Sequence, residues 1–478
     1  MIRHLFIIIV FISLLMGSTG CRQQEQRPEP KYLFLFIGDG MGVAQVNLAE
    51  AYLAVIHGEK GFEQLSFSGF PVSGLVRTYA DNRFITCSAA AGTAFATGYK
   101  TNIGHIATDT SGQVPYKSIA TICKEHGMKT GILTSVSLDH ATPAVFYAHQ
   151  PSRDNYFEIG MELAGSDFDF FAGGGFKEPD GVFNGKQANA IDAARENGFT
   201  YVNTPEGFGS LDTVTGKVIA VHPDLLPSGA MPYVIDNPGS PSLADFTAMA
   251  IKHLDNKDGF FMMVEGGKID WACHSKDAAS SIQETIAFSE AVQAAIDFYQ
   301  KHPEETLILV TADHETGGLA LGAQETGYNS FYTYLQYQDI SVERFNEVLA
   351  VFGRQLTGNE TSDRESLLTL VDNHFGLGSK IPITEQDKSV IWEAFEQSLK
   401  GKNQQETVYT EYPTITETVI SMVSSKSGVG WTTFKHTGIN IPIYALGPGA
   451  ERFTGVIDNT DIPRIMEELM GFDNEAAE

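Results

Sequence analysis

A 478-residue chain can bury a large hydrophobic core, either in one domain with insertions or in two domains. Its 59 acidic and 32 basic side chains give a formal net charge of -27, which argues against nucleic-acid binding because nucleic acids require a basic face. A site for an anionic ligand in so acidic a protein needs local positive charge, which bound metal ions would supply.

The first thirty residues are typical of an export segment rather than of a folded domain. Residues 1–20 combine Arg3 with a short apolar stretch, as in a signal peptide, and the stretch is too short to span a membrane. Cys21 follows small residues, which resembles a bacterial lipoprotein signal; an ordinary signal peptide with an incidental cysteine is the alternative. Residues 21–30 are polar and predict a lipid-anchored tether. We therefore expect an exported protein, attached to a membrane through Cys21 on the periplasmic or cell-surface side.

The first predicted strand, residues 31–38, is an apolar run that ends in glycine, as is typical of a buried parallel strand. Asp39 follows it directly, and a helix is predicted over 43–55 and a second strand over 72–79. Open α/β sheets bind ligands at the carboxyl ends of their strands, so Asp39 is a candidate site residue. An aspartate in a glycine-rich turn is the alternative interpretation.

Five small residues, 88–92, follow a polar pair and begin a helical pattern. Small side chains let the backbone approach a bound group, and the unpaired N–H groups and dipole of a helix N-terminus bind anions such as phosphate. Ser88 is therefore a candidate nucleophile toward phosphorus. The alternative is that Ser88 is only the N-cap of an alanine-rich core helix.

Two polar candidates follow in the next sixty residues. The sequence predicts a helix over 116–126 and a strand over 129–136. Thr142 precedes a proline, and this pair predicts an N-cap and first position for a helix over 144–149, so capping alone would explain Thr142. The planar guanidinium of Arg153 suits phosphate, although most arginines are solvated surface residues.

A buried strand predicted over 259–264 is followed by Glu265, Asp270 and His274. Asp270 and His274 are four residues apart, so on a helix they would face the same way, as a pair of metal ligands does. A surface ion pair is the alternative, but it does not explain Glu265 at the strand end.

The strand predicted over 306–311 ends shortly before Asp313 and His314. Adjacent side chains reach one ion only where the backbone is not a regular strand, and the glycines that follow permit such a departure. His436 lies just before the last predicted strand, 441–446, which makes it a better candidate than most lone histidines.

The pattern of apolar strands and helices predicts an α/β fold, with a central, mostly parallel sheet sandwiched by helices. Residues 31–478 form the predicted domain. Residues 325–428 are polar and mostly helical, and they predict an insertion packed over the end of the sheet. Carboxylate and imidazole ligands suit zinc, whereas carboxylate and hydroxyl ligands suit magnesium. Two metals about 4 Å apart can clamp the attacking and leaving oxygens of a displacement at phosphorus.

Ordered motifs run from Tyr32 to the final strand and helix: FIGDGMG, SAAAGTAFATG, HATPAVFYAH with a following arginine, VEGGKIDWACH, TADHETGG and KHTG. In their order and spacing they resemble the motifs of the alkaline phosphatases. The resemblance implies a homodimer that hydrolyses small phosphate monoesters by double displacement. Ser88 would attack phosphorus and release the alcohol, water would then hydrolyse the phosphoserine, and Arg153 would clamp the phosphate.

The resemblance also implies two zinc ions and one magnesium ion, with metal coordination lowering the pKa of the Ser88 hydroxyl. The first zinc would be held by Asp270, His274 and His436. The second zinc would be held by Asp39, Asp313 and His314. The magnesium would be held by Asp39, Thr142 and Glu265.

Three residues depart from the pattern of the relatives. Cys87 stands where many have an aspartate that is hydrogen-bonded to the arginine. A thiol is a poor acceptor for a guanidinium, so we expect Arg153 to be less firmly oriented and phosphate to bind more weakly. His140 and Trp271 stand where some bacterial relatives have aspartate and lysine, which leaves the metal preference of the magnesium site open.

Three alternative functions remain at this point. The first is a phosphodiesterase or phosphonate hydrolase of the same superfamily. The second is a lipid-anchored phosphate-binding protein without catalysis, which only Cys87 favours. A sulfatase would need proline and arginine soon after the nucleophile, where this chain has residues 89–91, all alanine.

Overall fold

The computed structural model describes residues 29–211, 214–239, 241–401 and 414–472. The predicted signal peptide, Cys21 and most of the predicted tether lie outside these residues. Among the helices that the structure describes, none is both long and apolar enough to cross a bilayer.

A ten-stranded sheet forms the centre of the protein, in the order β14-β2-β13-β10-β1-β9-β3-β4-β8-β7. The strands are β1 (Tyr32–Gly38), β2 (Val72–Arg77), β3 (Lys129–Thr134), β4 (Phe170–Gly173), β5 (Asp180–Phe183), β6 (Lys186–Asn189), β7 (Thr200–Val202), β8 (Val218–Val221), β9 (Phe260–Glu265), β10 (Thr306–Ala312), β11 (Glu315–Thr316), β12 (His436–Thr437), β13 (Ile441–Leu446) and β14 (Gly455–Asp458). Within the sheet only β13 runs antiparallel to its neighbours, and β5–β6 and β11–β12 form two small separate ribbons.

Helices flank the sheet, as expected for a parallel α/β architecture. They are α1 (Val43–Ile56), α2 (Ser88–Thr97), α3 (Ile119–Glu125), α4 (Ala141–Ala144), α5 (Tyr156–Gly165), α6 (Ala190–Glu196), α7 (Pro205–Ser210), α8 (Leu243–Leu254), α9 (Lys268–His274), α10 (Ala278–Tyr299), α11 (Val342–Gly353), α12 (Glu360–Phe375), α13 (Glu385–Leu399), α14 (Thr414–Ser427) and α15 (Asp461–Leu469). The predicted fold class, a mostly parallel sheet between helices, is confirmed.

The central strand β1 explains why distant acidic residues meet. All seven of its residues are buried, which accounts for its uninterrupted apolar sequence. It pairs in parallel with β9 and β10, so Ile37 lies beside Glu265 and Gly38 beside Ala312. The carboxyl ends of the three strands therefore bring Asp39, Glu265 and Asp313 to one edge of the sheet.

Two predicted helix starts are wrong, those at residues 116 and 144, and the alternative that Ser88 is an N-cap is excluded. The helix predicted from residue 116 begins at Ile119, because the Ser118 side chain accepts the Thr121 N–H and caps it. The helix that begins the small-residue stretch has Cys87 in extended backbone as its N-cap, so Ser88 is the first helical residue rather than the cap.

The third correction concerns Thr142. The predicted helix over 144–149 is instead the single turn α4, which has His140 as its N-cap. Thr142 lies inside this turn, and its buried hydroxyl has no hydrogen-bond partner among the described residues. Thr142 therefore does not cap a helix, and capping no longer explains this residue.

The segment 325–428 contains the four predicted helices, now α11 to α14. Hydrogen bonds join it to the chain around α9: the Gln338 amide donates to Asp277, the Ser341 hydroxyl donates to Asp236, and the Ser424 hydroxyl donates to the Lys276 carbonyl. This segment thus lies close to the helix that carries Asp270 and His274.

Candidate active site

Four carboxylates meet at the carboxyl edge of the sheet, and all four are fully buried. Three of them follow or end strands, namely Asp39, Glu265 and Asp313, and Asp270 lies on α9. Both oxygens of Asp39 and one oxygen of each other carboxylate have no hydrogen-bond partner among the described residues. Buried, unpaired carboxylate oxygens are strongly unfavourable unless a cation is present, so this donor set fits bound metal ions.

The pKa values of three of these groups support the same interpretation, whereas His274 and the other histidines outweigh burial and hold the pKa of Asp270 below its usual range. Burial raises the pKa of Glu265 to about 8 and that of Asp313 to about 7, and neighbouring carboxylates add to the rise. Burial and the same neighbours raise the pKa of Asp39 well above its usual range. Without a cation the cluster therefore resists full ionisation at neutral pH, whereas a divalent ion would hold it ionised.

Three histidines surround the cluster, and each turns Nδ1 away from it. The Nδ1 partners are the Phe434 carbonyl for His274 (2.6 Å), the Thr316 hydroxyl for His314 (3.2 Å) and the Thr86 carbonyl for His436 (2.9 Å). A carbonyl only accepts hydrogen bonds, so Nδ1 of His274 and His436 carries the hydrogen and Nε2 has the lone pair. Metal-binding histidines are oriented by contacts of this kind.

The side chains form two adjoining sets with spacings that suit metal ligands. His274 Nε2 lies 3.1 Å from His436 Nε2 and 3.4 Å from Asp270 Oδ2. His314 Nε2 lies 3.5 Å from Asp39 Oδ1 and 3.2 Å from Asp313 Oδ2. Ligand atoms of one tetrahedral zinc are about 3.3 Å apart, so each set fits one ion. The His314 and His436 rings stack with centroids 3.5 Å apart, which places the two sets side by side.

A third set includes a residue that the sequence did not single out as a ligand. Ligand atoms of Asp39, Glu265 and His140 lie within 4.8 Å of one another. The Thr142 hydroxyl also lies beside Glu265, close enough to oppose part of the rise that burial causes in the pKa of that carboxyl. The Thr134 hydroxyl donates to the other oxygen of Glu265 and fixes this carboxylate.

Ser88 lies next to the second of these sets. It is the first residue of α2, it is fully buried, and its Oγ lies 3.5 Å from His314 Nε2. Its hydroxyl is therefore at a helix N-terminus and beside candidate metal ligands at the same time, a position that suits an attacking oxygen near a bound anion.

Arg153 is oriented by His140 rather than by the residue before Ser88. Arg153 Nη2 lies 3.1 Å from His140 Nε2, whereas the Cys87 thiol accepts the Gly104 N–H at 3.3 Å. A guanidinium only donates, so His140 Nε2 must accept and the ring is neutral with its hydrogen on Nδ1. Burial and the Arg153 charge accordingly hold the pKa of His140 well below its usual range.

Two buried residues that we did not identify from the sequence hold the ligands in place. The Thr316 hydroxyl donates to Asp270 Oδ1 at 2.5 Å and lies 3.2 Å from His314 Nδ1, so it links both metal sets. The Glu315 carboxylate accepts hydrogen bonds from the Gln45 amide (2.9 Å) and from the Thr437 hydroxyl. The sequence signal that could have identified Glu315 and Thr316 was their position inside TADHETGG, directly after two candidate ligands.

The ribbon β11–β12 explains how His436 reaches the site. In it Glu315 pairs with Thr437 and Thr316 with His436. Gly317 and Gly318, which have φ values of 92° and 58°, then turn the chain away. A side chain at Gly317 would meet the Trp431 ring at 2.5 Å, so glycine is required there.

Comparisons with known proteins agree on one family. The family model described as alkaline phosphatase matches residues 30–472. Alkaline phosphatase 3 of Bacillus subtilis (strain 168) is 33% identical over 472 residues, which cover 95% of this chain and 93% of that protein. The crystal structure of a cold-active alkaline phosphatase from the psychrophile Shewanella sp. is 28% identical, with a TM-score of 0.75. The match covers 92% of this chain and 99% of that chain.

A further solved structure comes from a mutant enzyme. It is a histidine-to-aspartate mutant of the alkaline phosphatase from the Antarctic bacterium TAB5, with Mg bound in the M3 site of that protein. It is 26% identical to this chain, with a TM-score of 0.64, and the match covers 93% of this chain and 99% of that chain. Sequence, fold and clustered ligands together place this chain in the alkaline phosphatase family, as an enzyme that hydrolyses phosphate monoesters with divalent metal cofactors.

Proposed function

We propose that the enzyme works through a phosphoserine formed on Ser88. The observation that carries this proposal is the position of Ser88 Oγ, which lies 3.5 Å from His314 Nε2 at a buried helix N-terminus, beside the Asp39–Asp313–His314 set. In the first half-reaction Oγ bonds to phosphorus as the bond from phosphorus to the alcohol oxygen breaks. In the second, water attacks phosphorus and the bond to Ser88 breaks, which releases phosphate and restores the serine.

We propose a content of two zinc ions and one magnesium ion. The sets Asp270–His274–His436 and Asp39–Asp313–His314 combine carboxylate with imidazole, as zinc sites do. The third set would take magnesium through the oxygens of Asp39, Thr142 and Glu265, since the lone pair of His140 Nε2 faces Arg153. Mg in the M3 site of the TAB5 mutant supports this assignment. Such ions, when bound, supply positive charge to the phosphate and to the attacking oxygen.

Arg153 would bind two phosphate oxygens through its planar fork, in the orientation that His140 sets. This contact argues against the expectation that Cys87 leaves Arg153 poorly held. His140 supplies an acceptor for the guanidinium, whereas the Cys87 thiol accepts from the Gly104 N–H. The half-buried mouth of the site near Cys87 and Arg153 would admit both the ester and the attacking water to the buried Ser88.

Activity on three ester types tests the proposed reaction. The full chain, loaded with zinc and magnesium, should cleave an aryl phosphate monoester at least about a hundredfold faster than the matching diester or sulfate, and a chelator should abolish this activity. A diester preference would favour the phosphodiesterase alternative instead. Retained zinc with no turnover on any ester would favour the phosphate-binding alternative.

We expect His140→Ala to raise the inhibition constant of inorganic phosphate about tenfold, because Arg153 loses a hydrogen bond that involves a charged group. His140→Gln offers a carbonyl oxygen as acceptor and should recover most of the affinity. Metal content is measured in each variant, so that a loss of metal is not mistaken for a loss of arginine orientation.

The matched test places a carboxylate acceptor for Arg153 at position 87, in place of the thiol. Cys87→Asp should strengthen phosphate inhibition and slow product release, and it should partly restore the His140→Ala variant. Equal phosphate inhibition in all four proteins, at equal metal content, would show that neither residue controls Arg153.

We propose that residues 1–20 are removed on export, that residues 21–30 form a lipid-anchored tether, and that residues 31–478 form one catalytic domain with an insertion at about 325–428. A homodimer and a periplasmic or cell-surface location complete this proposal. The support is the pattern of residues 1–30 and the resemblance to the family.

Membrane attachment gives a direct prediction for Cys21. The wild-type chain expressed in a bacterial host should partition into the detergent phase, whereas Cys21→Ala should be recovered in the aqueous phase, because one lipid-modified residue is lost. Mass spectrometry of the mature N-terminus provides the control. Detergent partition that is the same for both chains would contradict attachment through Cys21.

A further inference from the structure

A cavity of about 960 Å³ opens beside the active site. Its lining includes His140 and Arg153, the proposed phosphate clamp, and Trp271, which follows the candidate ligand Asp270. The start of α11, within the segment 325–428, also lines the cavity. This volume is near the upper limit for small-molecule sites, so the cavity has room for much more than a small alcohol such as ethanol.

The walls of the cavity differ in polarity. One wall is apolar and is built from Leu225, Leu226, Pro227 and Pro232. Another part of the lining is the polar first part of α11, where Asn346 and the Arg344–Glu347 ion pair can form hydrogen bonds. A ring with hydroxyl or amine groups fits between walls of this kind.

The cavity also carries a net negative charge. Its lining contains the carboxylates Asp154, Asp224, Asp236, Glu343 and Glu347, but only three cationic side chains. Each cation already has a partner: Arg344 pairs with Glu347, Lys177 lies 3.8 Å from the centre of the Tyr156 ring, and Arg153 contacts His140.

The two ends of the combined site therefore have opposite charge. Metal ions and Arg153 would make the phosphate end positive, whereas the alcohol end is negative. An alcohol with a second anionic group would be repelled there, and a cationic alcohol would be attracted.

We propose that this cavity is the alcohol subsite of the enzyme and that it selects phosphate monoesters of ring-bearing, polyhydroxylated alcohols, with amine-bearing ones preferred and anionic ones disfavoured. The selection depends on α11, so Glu343 and its neighbours determine substrate specificity. This inference rests on the proposed function, because the cavity receives the alcohol only if phosphate binds at Arg153.

A charge series at nearly constant size tests the proposal. Glucosamine 1-phosphate, glucose 1-phosphate and glucuronic acid 1-phosphate carry a positive, neutral and negative alcohol on the same ring at pH 7. We expect kcat/KM to fall about fivefold at each step, as one charge at about 8 Å in a partly aqueous site predicts. Glucose 1-phosphate should exceed ethyl phosphate, which leaves the cavity empty.

Variants on α11 and at Ser228 test whether the cavity causes this preference among substrates. Glu343→Lys should reduce the ratio of kcat/KM for glucosamine 1-phosphate to that for glucuronic acid 1-phosphate at least about fivefold. The matched control is Glu365→Lys, an exposed change on α12 in the same segment, which should keep the wild-type ratio. Ser228→Trp narrows the cavity and should lower kcat/KM for glucose 1-phosphate at least about tenfold more than that for ethyl phosphate.

The outcomes separate the two hypotheses. No phosphate release from any ester, ethyl phosphate included, would contradict the proposed function itself. Equal kcat/KM across the charge series, or a series that Glu343→Lys and Ser228→Trp leave unchanged, would overturn the alcohol subsite while the phosphatase reaction stands.

Discussion

Replacing Ser88 with alanine is expected to reduce the turnover of phosphate monoesters at least about a thousandfold, with the protein still folded and metal-loaded. The covalent step needs Oγ, and no other hydroxyl takes the place of the first residue of α2. Alanine keeps this helix intact because it has the highest helix propensity and already fills the next three positions. Turnover is measured by release of the alcohol, and metal content by elemental analysis.

Two controls make the Ser88 result specific. Ser111→Ala removes an exposed hydroxyl that donates to Asp109, and this variant should keep wild-type turnover. Acid quenching during turnover should trap covalent phosphate on the wild-type chain and none on Ser88→Ala. A Ser88→Ala enzyme that kept a tenth or more of the turnover, with its metals in place, would rule out the phosphoserine route.

The sequence predicted the residues at the strand ends because their signals are local. An apolar run such as 32–37 indicates a strand that is buried on both faces, and such strands run parallel in α/β proteins. Parallel strands share one carboxyl edge, so Asp39, Glu265 and Asp313 could be brought together before their contacts were known. The four-residue spacing of Asp270 and His274 was equally local, and α9 confirms it.

Other features depend on contacts between distant segments, and sequence patterns do not contain them. Arg153 contacts His140, whereas the sequence analysis expected only that Cys87 would hold the arginine poorly and identified no other acceptor for it. His436 reaches His314 only through the pairing of β11 with β12, two strands of two residues each. The N-caps of α2 and α4, Cys87 and His140, both lie next to the site, where contacts between distant segments decide the backbone conformation.

Thr316 and Glu315 show how the site combines these distant parts. Thr316 connects Asp270 of one metal set to His314 of the other. Glu315 fixes β12 through the Thr437 hydroxyl and α1 through Gln45. Both side chains are fully buried, so the orientation of the ligands is set by the folded core rather than by exposed loops.

Removal of the metals is expected to lower the melting temperature, and this loss should grow as pH rises from 6.5 to 8.5. The folded pKa values of Glu265 (about 8), Asp313 (about 7) and Asp39 are raised by burial. For a group with a raised folded pKa, stability is present below the unfolded pKa and is lost as pH rises through the folded pKa. Divalent ions would hold these carboxylates ionised, so the metal-loaded enzyme should not show this loss.

Two histidines oppose this effect, but only in the lower part of the window. His314 and His436 have lowered pKa values and are neutral in the folded chain, whereas an unfolded histidine is about half protonated at pH 6.5 and neutral above about pH 7.5. Asp270 outweighs the effect of burial and raises the pKa of His274. Rising pH therefore removes a stabilising proton from His274 and lowers stability, as it does for the carboxylates. Scanning calorimetry at pH 6.5 and 8.5, with and without chelation, measures the effect, and we expect the chelated protein alone to lose about 5 °C or more.

Glu265→Gln separates the metal cluster from ordinary buried charge. The amide keeps an oxygen for the Thr134 hydroxyl but removes one negative charge, so the metal-free variant should melt higher than metal-free wild type at pH 8.5. The same variant should lose magnesium and most of its activity. Glu284→Gln is the matched control: burial raises the pKa of Glu284 to about 7, yet Glu284 accepts the Val234 N–H outside the cluster, so its effect should be equal with and without metals. If chelation lowered the melting temperature equally at both pH values, the buried carboxylates would not be what the metals stabilise.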